Sequence, residues 1–206
     1  MTAGLSELQR MQRRRKLQIL AVALVLAPLS LVVGSAWPNE GMVGEAIGGV
    51  GALLIVIAIC GRTWCTLYIG GRKRESLVTE GPYSVMRHPL YTFTIIGLLG
   101  LGAQTGSILA ALMLAAASGW PLLAVARHEE NVLLQTFGED YRAYHARTPA
   151  FLPAPRLWRE AERLEVRPVL VRRTFMEAAL ILAVPLAEVI HAAQSRGLLP
   201  VFARLP

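Results

Sequence analysis

GPYSVMRHPLY, residues 81–91, is the stretch on which the fold turns. Gly81 and Pro82 favour a turn, and Tyr83 follows with both a ring and a hydroxyl. Proline is at home in the first turn of a helix, so Pro89 marks a helix start and places His88 near the N-cap. Upstream lie Arg72, Lys73 and Arg74; downstream, residues 90–104 carry no charge at all. A basic loop therefore runs straight into a segment suited to lipid. At fifteen residues that segment is short for a span, so it begins at His88 or tilts little.

The same texture extends in both directions. Residues 42–61 carry only Glu45, and residues 17–33 and 107–126 carry no charge. Each is close to the roughly 20 apolar residues that cross a bilayer. A fifth candidate, residues 174–193, contains Glu177, Pro185, Glu188 and His191. Glu177, Glu188 and His191 share one helical face, so this segment either spans with that face turned inward or lies at the interface. With 54% hydrophobic and 17% charged residues, the composition suits a polytopic membrane protein better than a soluble domain. The expected fold is all-α, with about five transmembrane helices, a helical hairpin and a pocket at one membrane face.

The net charge of +7 does not point to nucleic acid, because of where it sits. Arginines and lysines crowd residues 10–16, 72–74 and the segment after Ala126, while the opposite loops at 37–41 and 104–106 have none. This positive-inside pattern places the N-terminus and the motif loops in the cytosol, with some attraction for anionic headgroups. The N-terminal basic run and apolar stretch also look like a secretory signal; the apolar part is longer than usual and more spans follow, so it reads as a retained helix. Cys60 and Cys65 form no metal or redox motif, and no metal site is expected.

Further features refine the picture. Gly44, Gly48 and Ala52 form a small-residue stripe that lets another helix approach closely. Trp64 and Tyr68 read as interfacial anchors. Pro121 should kink the fourth span, Gly138 should cap a helix over residues 129–137, and Pro149, Pro153 and Pro155 should enforce extended chain. Residues 157–165 read as an interfacial amphipathic helix.

The ionisable residues gather at one end. His88 sits beside the unpaired N–H groups of a helix start, which suits an anion. Glu129 and Glu130 follow the fourth span, with Arg127 on the helical face of Glu130. Neighbouring helical residues point about 100° apart, so only one glutamate need face a pocket. Phe137, Tyr141 and Tyr144 add aromatic surface.

The joint order is more specific than any part: Gly-Pro-Tyr at 81–83, Arg-His-Pro-x-Tyr at 87–91, a hairpin, Arg-x-Glu-Glu at 127–130, then Phe137 to Tyr144 and a proline-rich exit. From Leu77 to Pro155 the chain resembles the isoprenylcysteine carboxyl methyltransferase family and the related phospholipid N-methyltransferases. The resemblance implies a membrane bundle that binds S-adenosylmethionine at its cytosolic end and admits a lipophilic substrate from the bilayer. It implies cofactor contacts for Tyr83, His88, Tyr91, Tyr141 and one of Glu129 and Glu130, with Arg127 and Glu130 nearest the reacting end of the substrate. It divides the chain into an N-terminal part (1–76), a methyltransferase-like core (77–155) and a C-terminal part (156–206). Relatives often have glycine where this chain has Phe93, whose ring is expected to narrow the pocket or reshape substrate access. Carboxylate O-methylation is favoured and amine N-methylation is open. Two other readings compete: an NADPH-dependent reductase of the sterol type, and a non-catalytic lipid-binding membrane protein.

Overall fold

The computed structural model describes residues 42–70, 76–182 and 185–186. Every regular element among them is helical. α1 spans Met42–Ile69, α2 Pro82–Val85, α3 Pro89–Ala103, α4 Ile108–Arg147 and α5 Pro168–Ala179; single 3-10 turns occur at Pro155–Leu157 and Leu180–Leu182. α3 packs between α1 and α4, and α5 lies against α1.

Two helices, α1 and α4, are long and apolar enough to cross a membrane. Only 28% and 33% of their most apolar stretches are buried, whereas the core helix of a soluble protein is mostly buried. Val50, Leu53 and Val56 on α1, and Ile108, Leu109, Leu112 and Trp120 on α4, all face outward. Such an apolar outer surface fits lipid, not water. The expected count of five spans is thus two among the described residues. α3 is apolar but has 15 residues, below the spanning length. Residues 17–33 lie outside the described residues, as does most of 174–193; the described part starts earlier, at Pro168, and gives way to a 3-10 turn at Leu180.

Small residues set the approach of α1 to α3, one helical face round from the expected stripe. A Cβ on Gly48 would meet nothing, whereas one on Gly51 would lie 2.7 Å from the Gly100 carbonyl and one on Gly100 would lie 2.6 Å from the Gly51 carbonyl. The backbones touch there, and the Gln104 amide ties the same end by donating to the Gly48 carbonyl at 2.9 Å.

Phe93 has its own niche lower in this interface. A Cβ on Gly61 would fall 2.3 Å from the Phe93 ring, and the ring packs into the cluster of Cys65, Tyr68 and Tyr83. It fills the hole over Gly61 and does not line the cleft described below, so the expected narrowing does not occur. Gly61→Ala should therefore cost about 1–3 kcal/mol by overpacking. Thermal unfolding should show the loss, and adding Phe93→Leu should recover part of it; independent, additive losses would refute the contact.

α4 runs through Pro121 without leaving helical backbone; the residue of non-helical backbone in it is Gly138, at φ 52° and ψ −120°. Gly138 does end a helical run, as its type suggests, but helix resumes at once. The turn is open only to glycine and redirects the chain so that Tyr141 and Tyr144 face inward.

Residues 157–165 do not form the expected amphipathic helix. Their neighbourhood is a strap laid along the motif loop, and the backbone donors are used there. Arg87 N–H donates to the Pro149 carbonyl (2.8 Å), His88 N–H to Ala150 (3.0 Å), Ala154 N–H to Val85 (3.0 Å) and Gly81 N–H to Arg159 (2.7 Å). The Ser84 hydroxyl donates to the Gly81 carbonyl at 2.6 Å and accepts from Arg159 N–H at 3.0 Å. Within residues 157–165, Arg159 commits both its N–H and its carbonyl to the motif loop, and that N–H cannot also make an i→i−4 bond. Tyr68 closes the other side, its ring so near Gly81 that any side chain there would collide.

Candidate functional site

The motif loop, the start of α3 and the far part of α4 enclose a cleft of about 630 Å³, open mouth included. The uncharged part of α4 ends at Ala126, so Glu129, Tyr141 and Tyr144 lie beyond the membrane-suited stretch of that helix. Apolar walls come from Ile69, Leu77, Val78, Leu90 and Leu133; polar groups come from Tyr83, Arg87, His88, Tyr91, Glu129, Tyr141 and Tyr144.

Of the two adjacent glutamates, Glu129 faces the cleft. It is buried and accepts a 2.7 Å hydrogen bond from the Tyr91 hydroxyl. Glu130 stands behind, as a brace. Its Oε1 accepts from Arg87 Nε at 2.8 Å and meets His88 Nε2 at 2.9 Å, and its Oε2 lies 3.6 Å from His145 Nε2. Arg87 spreads further, donating through Nη1 to the carbonyls of His145 (2.9 Å) and Thr148 (2.7 Å). One guanidinium thus clamps the motif loop to the end of α4. The His88 ring is stacked with Tyr91 (centroids 5.6 Å apart) and with Phe151 of the strap (5.3 Å).

The electrostatics are consistent with a neutral His88 donating to an ionised Glu130. Burial pushes the His88 pKa below its ordinary value, and the hydrogen bond to Glu130 only partly opposes it. Burial alone would raise the Glu130 carboxyl, but the hydrogen bond from His88 and the Arg87 cation outweigh it and hold the pKa low. Both shifts act in the same direction on stability. Below 6.5 an unfolded His88 takes up a proton that the folded ring resists, so stability falls as pH drops from that value. Glu130 adds a loss lower still, as pH falls from 4.5 through its depressed folded pKa. The thermal midpoint should accordingly hold above pH 6.5 and decline below it, less steeply in His88→Gln. Identical profiles for the two proteins would contradict the assignment.

Three buried hydroxyls among the described residues have no hydrogen-bond partner: Ser118, away from the cleft, and the pair Tyr83 and Tyr141. Both line the cleft. Burial pushes both phenol pKa values up, so they remain neutral donors. A buried unpaired hydroxyl is costly, and two directed at one cleft indicate room for a polar ligand. Tyr144, by contrast, is satisfied: its hydroxyl donates to the Tyr83 carbonyl at 2.7 Å and fixes the motif loop.

Of the residues expected from sequence, Tyr83, His88, Tyr91, Glu129 and Tyr141 meet in the cleft, and Glu130 supports it from behind. Arg127 does not join them. It is exposed and lies outside the cleft lining, and the cation beside Glu130 is Arg87. Sequence reasoning quoted Arg87 but gave it no role, and it assigned none to Phe151, His145 or Thr148. Arg87 had a signal, since it directly precedes the N-cap histidine; the others depend on how the strap returns. Among the described residues, no three His, Cys, Asp or Glu side chains group as metal ligands.

Apolar-surfaced helices ending in a tyrosine-, histidine- and carboxylate-lined cleft define a helical membrane protein with a polar ligand cleft at one end. Comparison with known proteins sharpens this class. Residues 41–140 match the family model described as phospholipid methyltransferase. The chain is 35% identical over 205 residues to the nickel-cobalt-cadmium resistance protein NccN of Alcaligenes xylosoxydans xylosoxydans, covering 99% of this chain and 96% of that protein. It is 40% identical over 158 residues to the cobalt-zinc-cadmium resistance protein CzcN of Cupriavidus metallidurans, covering 76% and 73%. Protein-S-isoprenylcysteine O-methyltransferase B of Arabidopsis thaliana is 33% identical over 99 residues, 47% of this chain and half of that protein. No solved structure matches the chain. Over nearly its whole length the chain belongs with NccN and CzcN, and its residues 41–140 carry the phospholipid methyltransferase family sequence. The family match begins at residue 41, so it takes in α1, which the motifs alone had left outside.

Proposed function

We propose that this protein is an integral-membrane methyltransferase that uses S-adenosylmethionine and acts on a small lipophilic substrate, with its cleft toward the cytosol. The observation that carries the reading is the pair of unpartnered hydroxyls, Tyr83 and Tyr141, in the cleft that also presents Glu129. S-adenosylmethionine carries an ammonium, a carboxylate and an adenine ring, and it supplies a methyl group on a sulfonium. The residues present fit those parts. Glu129 complements an ammonium, and the two tyrosines offer hydroxyl donors to a carboxylate and ring faces to the adenine.

The protein's own contribution is to align and to exclude. Ile69, Leu77, Val78, Leu90 and Leu133 offer a dry wall to a lipophilic chain. In-line displacement at carbon gains most from fixed geometry, and the Arg87 clamp supplies it to the loop. A carboxylate nucleophile needs no base, only a cation to orient it, and Arg87 takes the part first assigned to Arg127. An amine nucleophile must lose a proton first, and neutral His88 is a suitable acceptor in the cleft.

Carboxylate methylation is the favoured form. It also accords with the names of NccN and CzcN, since a methyl ester binds divalent cations far less well than the free carboxylate does. Thermal shifts with S-adenosylmethionine and with NADPH test the cofactor. Stabilisation by the first alone supports the proposal, and stabilisation by NADPH alone would replace it with a reductase.

A further inference from the structure

A second concavity lies on the other side of Arg87. It is an open surface hollow, about 610 Å³ with the solvent in its mouth counted, and its lining includes Arg87, His145, Arg147, Thr148, Arg156 and Leu157. No carboxylate lines it. Other surface arginines are neutralised by neighbours: Arg142 pairs with Glu139, and Arg173 with Glu177. Arg147 and Arg156 have no acidic partner among the described residues, yet both converge on this groove. The Arg147 guanidinium is held at its edge, 5.9 Å above the centre of the Tyr144 ring. Unpaired cations gathered in one hollow repel each other unless an anion is drawn in.

The exposed apolar side chains beside the groove say which anion. Leu157 and Arg156 immediately precede Trp158, which is 42% exposed and stacks on Trp64 of α1 with centroids 5.5 Å apart. Tryptophans with one face free collect at the headgroup level of a bilayer. On the same strap, Leu152 is 79% exposed. A strap that exposes Leu152 and Trp158 on either side of Arg156 suits contact with a lipid surface, where an arginine between apolar side chains would meet phosphates.

We propose that this groove binds the phosphate headgroup of an anionic membrane phospholipid, at a site separate from the cleft. Arg147 and Arg156 supply the free charge. Arg87 forms the shared wall, and it is fixed by the carbonyls of His145 and Thr148, both groove residues. A lipid held there braces the same guanidinium that braces the motif loop. The site does not depend on what the cleft transfers.

Short-chain phosphatidylglycerol, titrated into the detergent-purified full chain and followed by native mass spectrometry, tests the site. Phosphatidylcholine and inorganic phosphate serve as separate arms. Arg147→Ala/Arg156→Ala should weaken phosphatidylglycerol binding roughly thirtyfold, from about fivefold per arginine. Its unfolding midpoint without lipid should match the wild type, since both side chains are exposed. Arg142→Ala/Arg173→Ala, with the same charge change elsewhere, should leave binding intact. Equal losses in the two double variants would reduce the effect to diffuse charge and overturn the proposal. Phosphatidylcholine binding as tightly as phosphatidylglycerol would overturn it too. So would inorganic phosphate binding in the groove without displacing lipid.

Discussion

Glu129→Gln is expected to lower affinity for S-adenosylmethionine by between about tenfold and a hundredfold while leaving the protein folded. The substitution keeps shape and one acceptor. The Tyr91 hydroxyl, now 2.7 Å from the carboxylate, can donate to an amide oxygen instead. What disappears is the negative charge facing the cleft, and a hydrogen bond to a charged group is roughly twice as strong as a neutral one. Arg127→Ala provides the contrast, because that side chain is exposed and outside the cleft. It should change affinity little and stability by no more than about 0.5 kcal/mol. Calorimetric titration of both variants checks the pair. Glu129→Gln binding like the wild type would show that this carboxylate is structural.

Arg87→Ala should be the most damaging single change to stability, at about 3 kcal/mol. Its side chain is 12% exposed, and the guanidinium serves Glu130 together with the carbonyls of His145 and Thr148. Removing it leaves Glu130, whose side chain is 18% exposed, without its arginine, and it leaves two carbonyls without a donor. Lysine is a poor substitute, since a point charge cannot donate in three fixed directions. A loss of that size lowers the thermal midpoint by roughly 6–12 °C for a chain of this length. Arg87→Lys should recover less than half of it. A midpoint within a degree or so of wild type would mean that the clamp holds nothing.

Much of the site was legible because it is local in sequence. Tyr83, His88 and Tyr91 are fixed by a turn, an N-cap and a first helical turn, each with its own residue signature. The glutamates were legible as a pair, but not which of them faces inward. That depends on the rotation of α4 about its axis, which the packing of Tyr91 against Leu122, Val125 and Ala126 helps to set. Arg127 was misjudged for the same reason: proximity to Glu130 along a helix face does not say whether that face is covered.

The strap was the larger miss. Trp158, Ala161 and Leu164 alternate with charges as an amphipathic helix would, yet Trp158 stacks on Trp64 while Ala161 and Leu164 pack near Tyr68 and Tyr83. The apolar pattern was real, but it recorded contacts made by extended chain. Gly138 was read correctly as a helix end, while the immediate restart of helix depended on Tyr141 and Tyr144 finding buried positions. Phe93 stands where relatives often have glycine, and its compensation at Gly61 lies 32 residues earlier, beyond any local pattern.

Transfer of labelled methyl groups from S-adenosylmethionine to a membrane lipid extract, by purified protein shown to be folded, tests the central claim most directly. The account predicts label in a lipid-soluble product, released by base if the product is an ester, and lost when Glu129→Gln replaces the wild type. Folded protein that neither transfers label to any lipid fraction nor binds the methyl donor would contradict it.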